Sequence, residues 1–161
     1  MSESYRIPKS KLAVEILCAS SQAAQRGFLF LGAGADGHVG PERALDLLNG
    51  EEEFLVLEDE AGGVSLLQRG ALSRVTLAAD DACTDPKCAA DPSTADLDVE
   101  AHIRLILEDG SELEGATRYQ LPVERRRIQD FLNAPGSFIP LYHGGRLSLV
   151  NKRRIARVIP R

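Results

Sequence analysis

Residues 43–57 read RALDLLNGEEEFLVL and residues 127–141 read RIQDFLNAPGSFIPL. The two segments align without a gap, with identities at Arg43/Arg127, Asp46/Asp130, Leu48/Leu132, Asn49/Asn133, Phe54/Phe138 and Leu57/Leu141. Farther on, LLQRGALSRV (residues 66–75) aligns with LVNKRRIARV (residues 149–158), sharing Leu66/Leu149, Arg74/Arg157 and Val75/Val158. Upstream, AVEIL (residues 13–17) and HIRLI (residues 102–106) are both short alternating runs of strand type. A repeat of this kind constrains the fold more than any other feature, because one unit must be built twice. Each unit would span roughly 65 residues, near the size at which a lone domain buries too little surface, so the two are expected to pack on each other.

The expected fold is mainly β, of α+β type, with two tandem bent-sheet or open-barrel repeats. Each reads strand, strand, short helix, strand, strand, strand. Residues 1–10 are read as a flexible N-terminus, 11–78 as the first repeat, 79–99 as an acidic flexible linker and 100–161 as the second repeat. The Asp109-Gly110 pair predicts a hairpin turn between the first two strands of the second repeat. Ile128, Phe131 and Leu132 follow helical spacing and predict one apolar face on its helix. Pro41 and Pro122 suit a first helical turn, while Asn49-Gly50 and Asn133 suit left-handed conformations at the helix ends. Asp46/Asp130 and Asn49/Asn133 recur in both repeats, which could suggest a paired polar site; the simpler reading is that they satisfy stray backbone groups and take turn conformations near the helix ends.

The stretch FLFLGAGADG (residues 28–37) contains a G-x-G-x-x-G spacing at Gly32, Gly34 and Gly37. A dinucleotide-binding fingerprint needs that turn to open a helix inside a parallel βαβ unit. Here the following elements are hairpin-like, and the second repeat makes the same crossing with YQLPVERRR, which has no glycine. The reading that follows is a surface loop lengthened in one repeat, with a nucleotide-dependent enzyme as the least favoured function.

The net charge of −5 is unevenly spread. Residues 1–78 carry seven basic and eleven acidic side chains, whereas residues 100–161 carry eleven and seven. Arg125, Arg126 and Arg127 are expected to open the second helix, and Lys152, Arg153 and Arg154 to lie at the final turn. Together they are the candidate face for phosphate or an acidic protein surface. Cys83 and Cys88 lack the second pair that a structural zinc site wants, and Cys18 reads as a small core residue. His38, His102 and His143 come with no nucleophile elbow, and His143 reads as an exposed turn residue of ordinary pKa. No catalytic constellation, cofactor or metal site is identified. No apolar run approaches the roughly 20 residues needed to cross a bilayer, and the N-terminus lacks the apolar core of a secretory signal, so a cytoplasmic protein is expected.

Two parts of the second repeat resemble the Sm-like/Hfq family. LEDGSELEG resembles the family's first hairpin at Gly110, Leu113 and Gly115, and LVNKRRIARVIP resembles its closing strands at Val150, Lys152, Ile155, Val158 and Pro160. The resemblance implies a small, strongly bent, five-stranded barrel. Where the bacterial RNA-chaperone branch has a tyrosine and a histidine around the matching lysine, this sequence has Asn151 and Arg153, so architecture carries over and uridine recognition does not. The DFLN motif is also similar to small bacterial domains of unknown function.

The expected function is that of a non-enzymatic binding or assembly module, engaging a protein partner or itself through exposed strand edges or the basic face. An Sm-like RNA-binding protein is the alternative, marked by salt-dependent affinity for RNA. No membrane partner and no small-molecule substrate are identified.

Overall fold

A computed structural model describes residues 9–32, 42–78 and 98–161 of the chain. Alternation of apolar and polar residues builds the first strand, β1 (Lys9–Cys18), which buries Leu12, Val14 and Ile16 on one face. It is followed by β2 (Gln25–Gly32), the short helix α1 (Ala44–Leu48), β3 (Phe54–Asp59), β4 (Val64–Gln68) and β5 (Leu72–Ala78). The same order then recurs as β6 (Asp98–Leu107), β7 (Glu112–Gln120), α2 (Ile128–Leu132), β8 (Phe138–His143), β9 (Arg146–Asn151) and β10 (Ile155–Pro160). β1 and β6 begin within segments that the sequence suggested were flexible, because Lys9 pairs with Gly32 and Asp98 with Gln120.

Among the described residues all ten strands are antiparallel and form one continuous sheet, in the order β10-β6-β7-β8-β9-β5-β1-β2-β3-β4. The sheet does not close. Among the described residues β10 pairs only with β6, and β4 only with β3. The run β10-β6-β7-β8-β9 has the same internal order as β5-β1-β2-β3-β4, and the two runs meet where β9 pairs with β5. At that junction Val75 stands opposite Leu149 and Leu77 opposite Leu147.

Local details recur in both runs. Ser73 in β5 and Ala156 in β10 each stand unpaired at a register shift against the neighbouring strand, which bends the sheet at the same place in each run. Gly27 in β2 and Gly115 in β7 let the adjacent strand approach closely. A Cβ on Gly27 would lie 2.5 Å from the Glu58 carbonyl oxygen, and one on Gly115 would lie 2.3 Å from that of Tyr142. The β6–β7 turn forms as its Asp-Gly pair predicts: Gly110 has φ +83° and the Asp109 carboxylate accepts from the backbone N–H and the hydroxyl of Ser111.

The helices begin as Asp46 and Asp130 suggest. Each carboxylate accepts the backbone N–H three residues earlier, from Arg43 and Arg127 respectively. Their ends differ from expectation. Asn49 and Asn133 have φ of −93° and −90°, so neither is left-handed, and Gly50 is not among the residues with positive φ. Pro122 precedes a separate 3-10 turn, Val123–Arg125, rather than α2 itself. Pro41 lies outside the described residues. Ile128, Phe131 and Leu132 of α2 do turn one face to the core.

Two apolar clusters fill the interior. One joins Leu12, Val14, Ile16, Leu29, Leu31, Leu48, Leu55, Leu57, Leu72, Val75 and Leu77 with Phe138, Leu147 and Leu149. The other joins Ile103, Leu105 and Leu107 with Ile139, Leu141 and Val150. Successive residues of β8 and β9 therefore enter different clusters, as strand alternation requires, and the β8–β9 hairpin is covered on both faces.

Candidate functional site

The two basic clusters lie at opposite ends of α2. Arg127 caps its start, where Asp130 accepts its N–H, and Lys152 donates from Nζ to the Ala134 carbonyl just past its end at 2.6 Å. Arg125 belongs to the preceding 3-10 turn, so the cluster precedes the helix instead of opening it. Burial holds the Lys152 ammonium below its ordinary pKa. Arg154 pairs with Glu108 and donates to the Gly70 carbonyl at 2.9 Å, spending its guanidinium on the junction between the two runs. Arg153 and Arg125 are exposed. Arg126 offers its carbonyl to the Tyr119 hydroxyl, and Tyr119 stacks on Phe131.

Beside the junction lies a shallow cleft lined by residues of both runs, among them Gln68, Arg69, Asn151 and Arg153. Arg69 donates to the Gly50 carbonyl. Asn151 is buried, donates to the Leu72 carbonyl at 2.9 Å and accepts from the Arg153 N–H at 3.0 Å. The amide of Asn49, at the end of α1, reaches the start of β8 and bonds both Ser137 and Phe138.

His143 departs from expectation. It closes β8 with its ring half-buried, and Nε2 lies 2.7 Å from Ser148 Oγ, which in turn lies 3.0 Å from Thr76 Oγ1 across the junction. Its pKa is pushed below the ordinary 6.5, first by burial and then by the nearby charges of Arg74 and Arg146. The turn itself is made by Gly144 and Gly145, both at positive φ. His102 lies at the surface against Glu100 at 3.6 Å, and Cys18 is half-buried beside the first cluster.

Gly34, Gly37, His38, Cys83 and Cys88 lie outside the described residues. Gly32 donates its N–H to the Glu42 carboxylate at 2.7 Å, which places a negative charge at the base of the glycine-rich segment. Among the described residues no group of three or more His, Cys, Asp and Glu side chains is arranged to hold a metal ion. Nor is any helix among them long and apolar enough to cross a membrane.

The feature that the sequence reading missed is an uncovered apolar face. Phe54 and Val56 of β3 and Val64 and Leu66 of β4 share one side of their hairpin, since Val56 stands opposite Leu66 and Phe54 opposite Gln68. The other side, with Leu55 and Leu57, is buried. Phe54, Val64 and Leu66 are 54%, 68% and 67% exposed, whereas the residues aligned with them, Phe138, Leu147 and Leu149, are 3%, 2% and 0% exposed. What differs is the neighbour: β5 and α1 cover β8 and β9, and among the described residues nothing occupies that position on β3 and β4. The signal was in the sequence, as VSLLQ and FLVL carry apolar residues at both parities of the strand.

No known protein family, no curated protein and no solved structure matches the chain.

Proposed function

We propose that the chain is an internally duplicated, non-enzymatic assembly module that binds another polypeptide by extending its sheet at the β3–β4 hairpin. The observation that carries this reading is the uncovered face of Phe54, Val56, Val64 and Leu66. A monomer seldom leaves such a contiguous patch in water, and here it borders β4, whose outer edge is unpaired among the described residues. The edge sequence VSLLQ carries no charge and no proline, the two devices that ordinarily discourage strand addition. Backbone hydrogen bonds along β4 would supply affinity, and the apolar face would supply the buried area.

The test is sedimentation of the protein purified from its own cells, beside a Leu66→Lys variant. The wild type should travel as a complex heavier than a single chain, and the variant as the single chain with unchanged circular dichroism. If the wild type stays a single chain with nothing bound, up to about 100 μM, the reading fails; weaker association lies beyond what a specific interface of ordinary affinity requires.

A second reading, RNA binding, draws on the cleft at the junction, where Arg69 and Arg153 stand with the amides of Gln68 and Asn151. It predicts affinity for single-stranded RNA that falls with salt and drops on Arg153→Ala. Absence of binding at low salt would remove it.

A further inference from the structure

We infer that the occupant of the β3–β4 face is a second copy of this chain, whose β10 adds to β4 in the register that β5 adopts on β9, so that copies join head to tail. The inference rests on the assembly reading and specifies its partner.

The template is internal. In the junction between the two runs, β5 supplies Val75 opposite Leu149 and Leu77 opposite Leu147, α1 packs on β8, and Asn49 bonds the backbone at the start of β8. Each participant has an aligned residue at one end of the sheet, where β10 and β4 have no second neighbour among the described residues. Val158 of β10 aligns with Val75, α2 aligns with α1, and Asn133 aligns with Asn49. On the receiving side Leu66, Val64 and Phe54 align with Leu149, Leu147 and Phe138. Applied to the free ends, the junction register puts Val158 opposite Leu66, Ile159 opposite Ser65 and Arg157 opposite Leu67 of the next copy. Gln68 then stands where Asn151 stands, with its amide toward the Ile155 carbonyl in place of the Leu72 carbonyl.

The two ends also suit each other in kind. Among the described residues β10 pairs only with β6; it carries the unpaired Ala156 where β5 carries the unpaired Ser73, and it leaves Ala156 and Arg157 exposed. The receiving hairpin starts beside exposed Glu51, Glu52 and Glu53. Residues 1–78 carry four more acidic than basic side chains, and residues 100–161 four more basic than acidic. Joining unlike ends brings opposite charges together, whereas joining two β4 edges would set the acidic runs against each other.

Two departures limit the match. Pro160 takes the place of Leu77 and has no N–H, and Arg161 already gives its N–H to the His102 carbonyl, so the new ladder loses one bond at its end. Glu52 takes the place of Gly136, which touches the Asn49 amide at the internal junction. A head-to-tail contact repeats from copy to copy until it closes into a ring, and it extends as a filament where the rotation does not close.

Two edge variants test the inference in the full-length chain. Leu66→Lys blocks the receiving end, and Val158→Lys blocks the donating end. Arg157→Glu serves as a second donating-end block, at a side chain that is exposed in the single chain. By sedimentation or native mass spectrometry the wild type should form oligomers of identical chains. Each blocked variant alone should be a single chain. A mixture of one receiving-end and one donating-end variant should give one-to-one dimers and nothing larger. A wild type that stays a single chain overturns the inference, as does a donating-end variant that dimerises alone, which would mean β4 pairs with β4. If the wild type instead binds a different polypeptide, and loses it on Leu66→Lys, the assembly reading stands and the identity of the partner inferred here is wrong.

Discussion

Asn49 and Phe138 are 89 residues apart, yet one side chain holds both polar groups of the other's backbone: Oδ1 accepts the Phe138 N–H at 2.8 Å and Nδ2 donates to its carbonyl at 3.3 Å. The same Oδ1 accepts the Ser137 N–H at 2.8 Å. A single amide thereby fixes the start of β8 against the end of α1. Gly136, at φ +112°, leaves room for it, since a Cβ there would lie 3.2 Å from Nδ2.

Asn49→Ala should destabilise the chain by about 1–3 kcal/mol, because it removes the amide that pairs the partly buried N–H and carbonyl of Phe138. Asn133→Ala, at the aligned and exposed position, should change stability by no more than about 0.5 kcal/mol. Urea unfolding of both at low protein concentration checks the contrast. Equal effects would remove the special role given to Asn49.

Truncating the same aromatic residue in the two runs should have unequal costs. Phe138→Ala opens a cavity in the first cluster and should cost about 3–5 kcal/mol. Phe54→Ala removes a side chain that is already more than half in water, and should cost under about 1 kcal/mol in the single chain. Thermal or urea unfolding at low protein concentration measures both.

Gly115→Ala and Gly27→Ala should each destabilise by about 1–3 kcal/mol or more, since the added methyl meets a backbone oxygen that cannot rotate away. Gly70→Ala has open space and should be close to neutral. Shifts of the denaturation midpoint at constant slope would show that stability alone has changed.

Acidification should weaken the chain through His143. Its folded pKa lies below 6.5, so between the folded and unfolded values the unfolded chain binds more protons and stability rises with pH. The neutral ring's contribution is fully present above pH 6.5 and is lost progressively as pH falls from there to the folded pKa. His143→Gln should flatten that part of the stability profile. A wild-type profile identical to the variant's across this range would contradict the assignment.

Much of the local structure is legible in the residues themselves. The Asp109-Gly110 turn follows from backbone preference, the inward face of α2 from helical spacing, and the capping by Asp46 and Asp130 from side-chain reach. Each depends on neighbours within a few residues. The union of β9 with β5 does not, because it depends on which apolar faces distant segments of the chain can cover. The role of Asn49 escaped for a related reason: its partners are distant in sequence, and Asn at a helix end more often answers a local need. His143 sits beside two glycines that predict a turn, and those glycines do make it. Nothing within five residues indicates that Thr76 crosses the junction to enclose its Ser148 partner.

The shared β8–β9 hairpin imposes an order on maturation. Phe138, Leu147 and Leu149 complete a cluster otherwise made of residues before position 78, so the N-terminal run must wait for the ribosome to deliver the last quarter of the chain before its interior can shut. Until then its apolar surface stands open, and nascent chains are most exposed to mispairing during that interval.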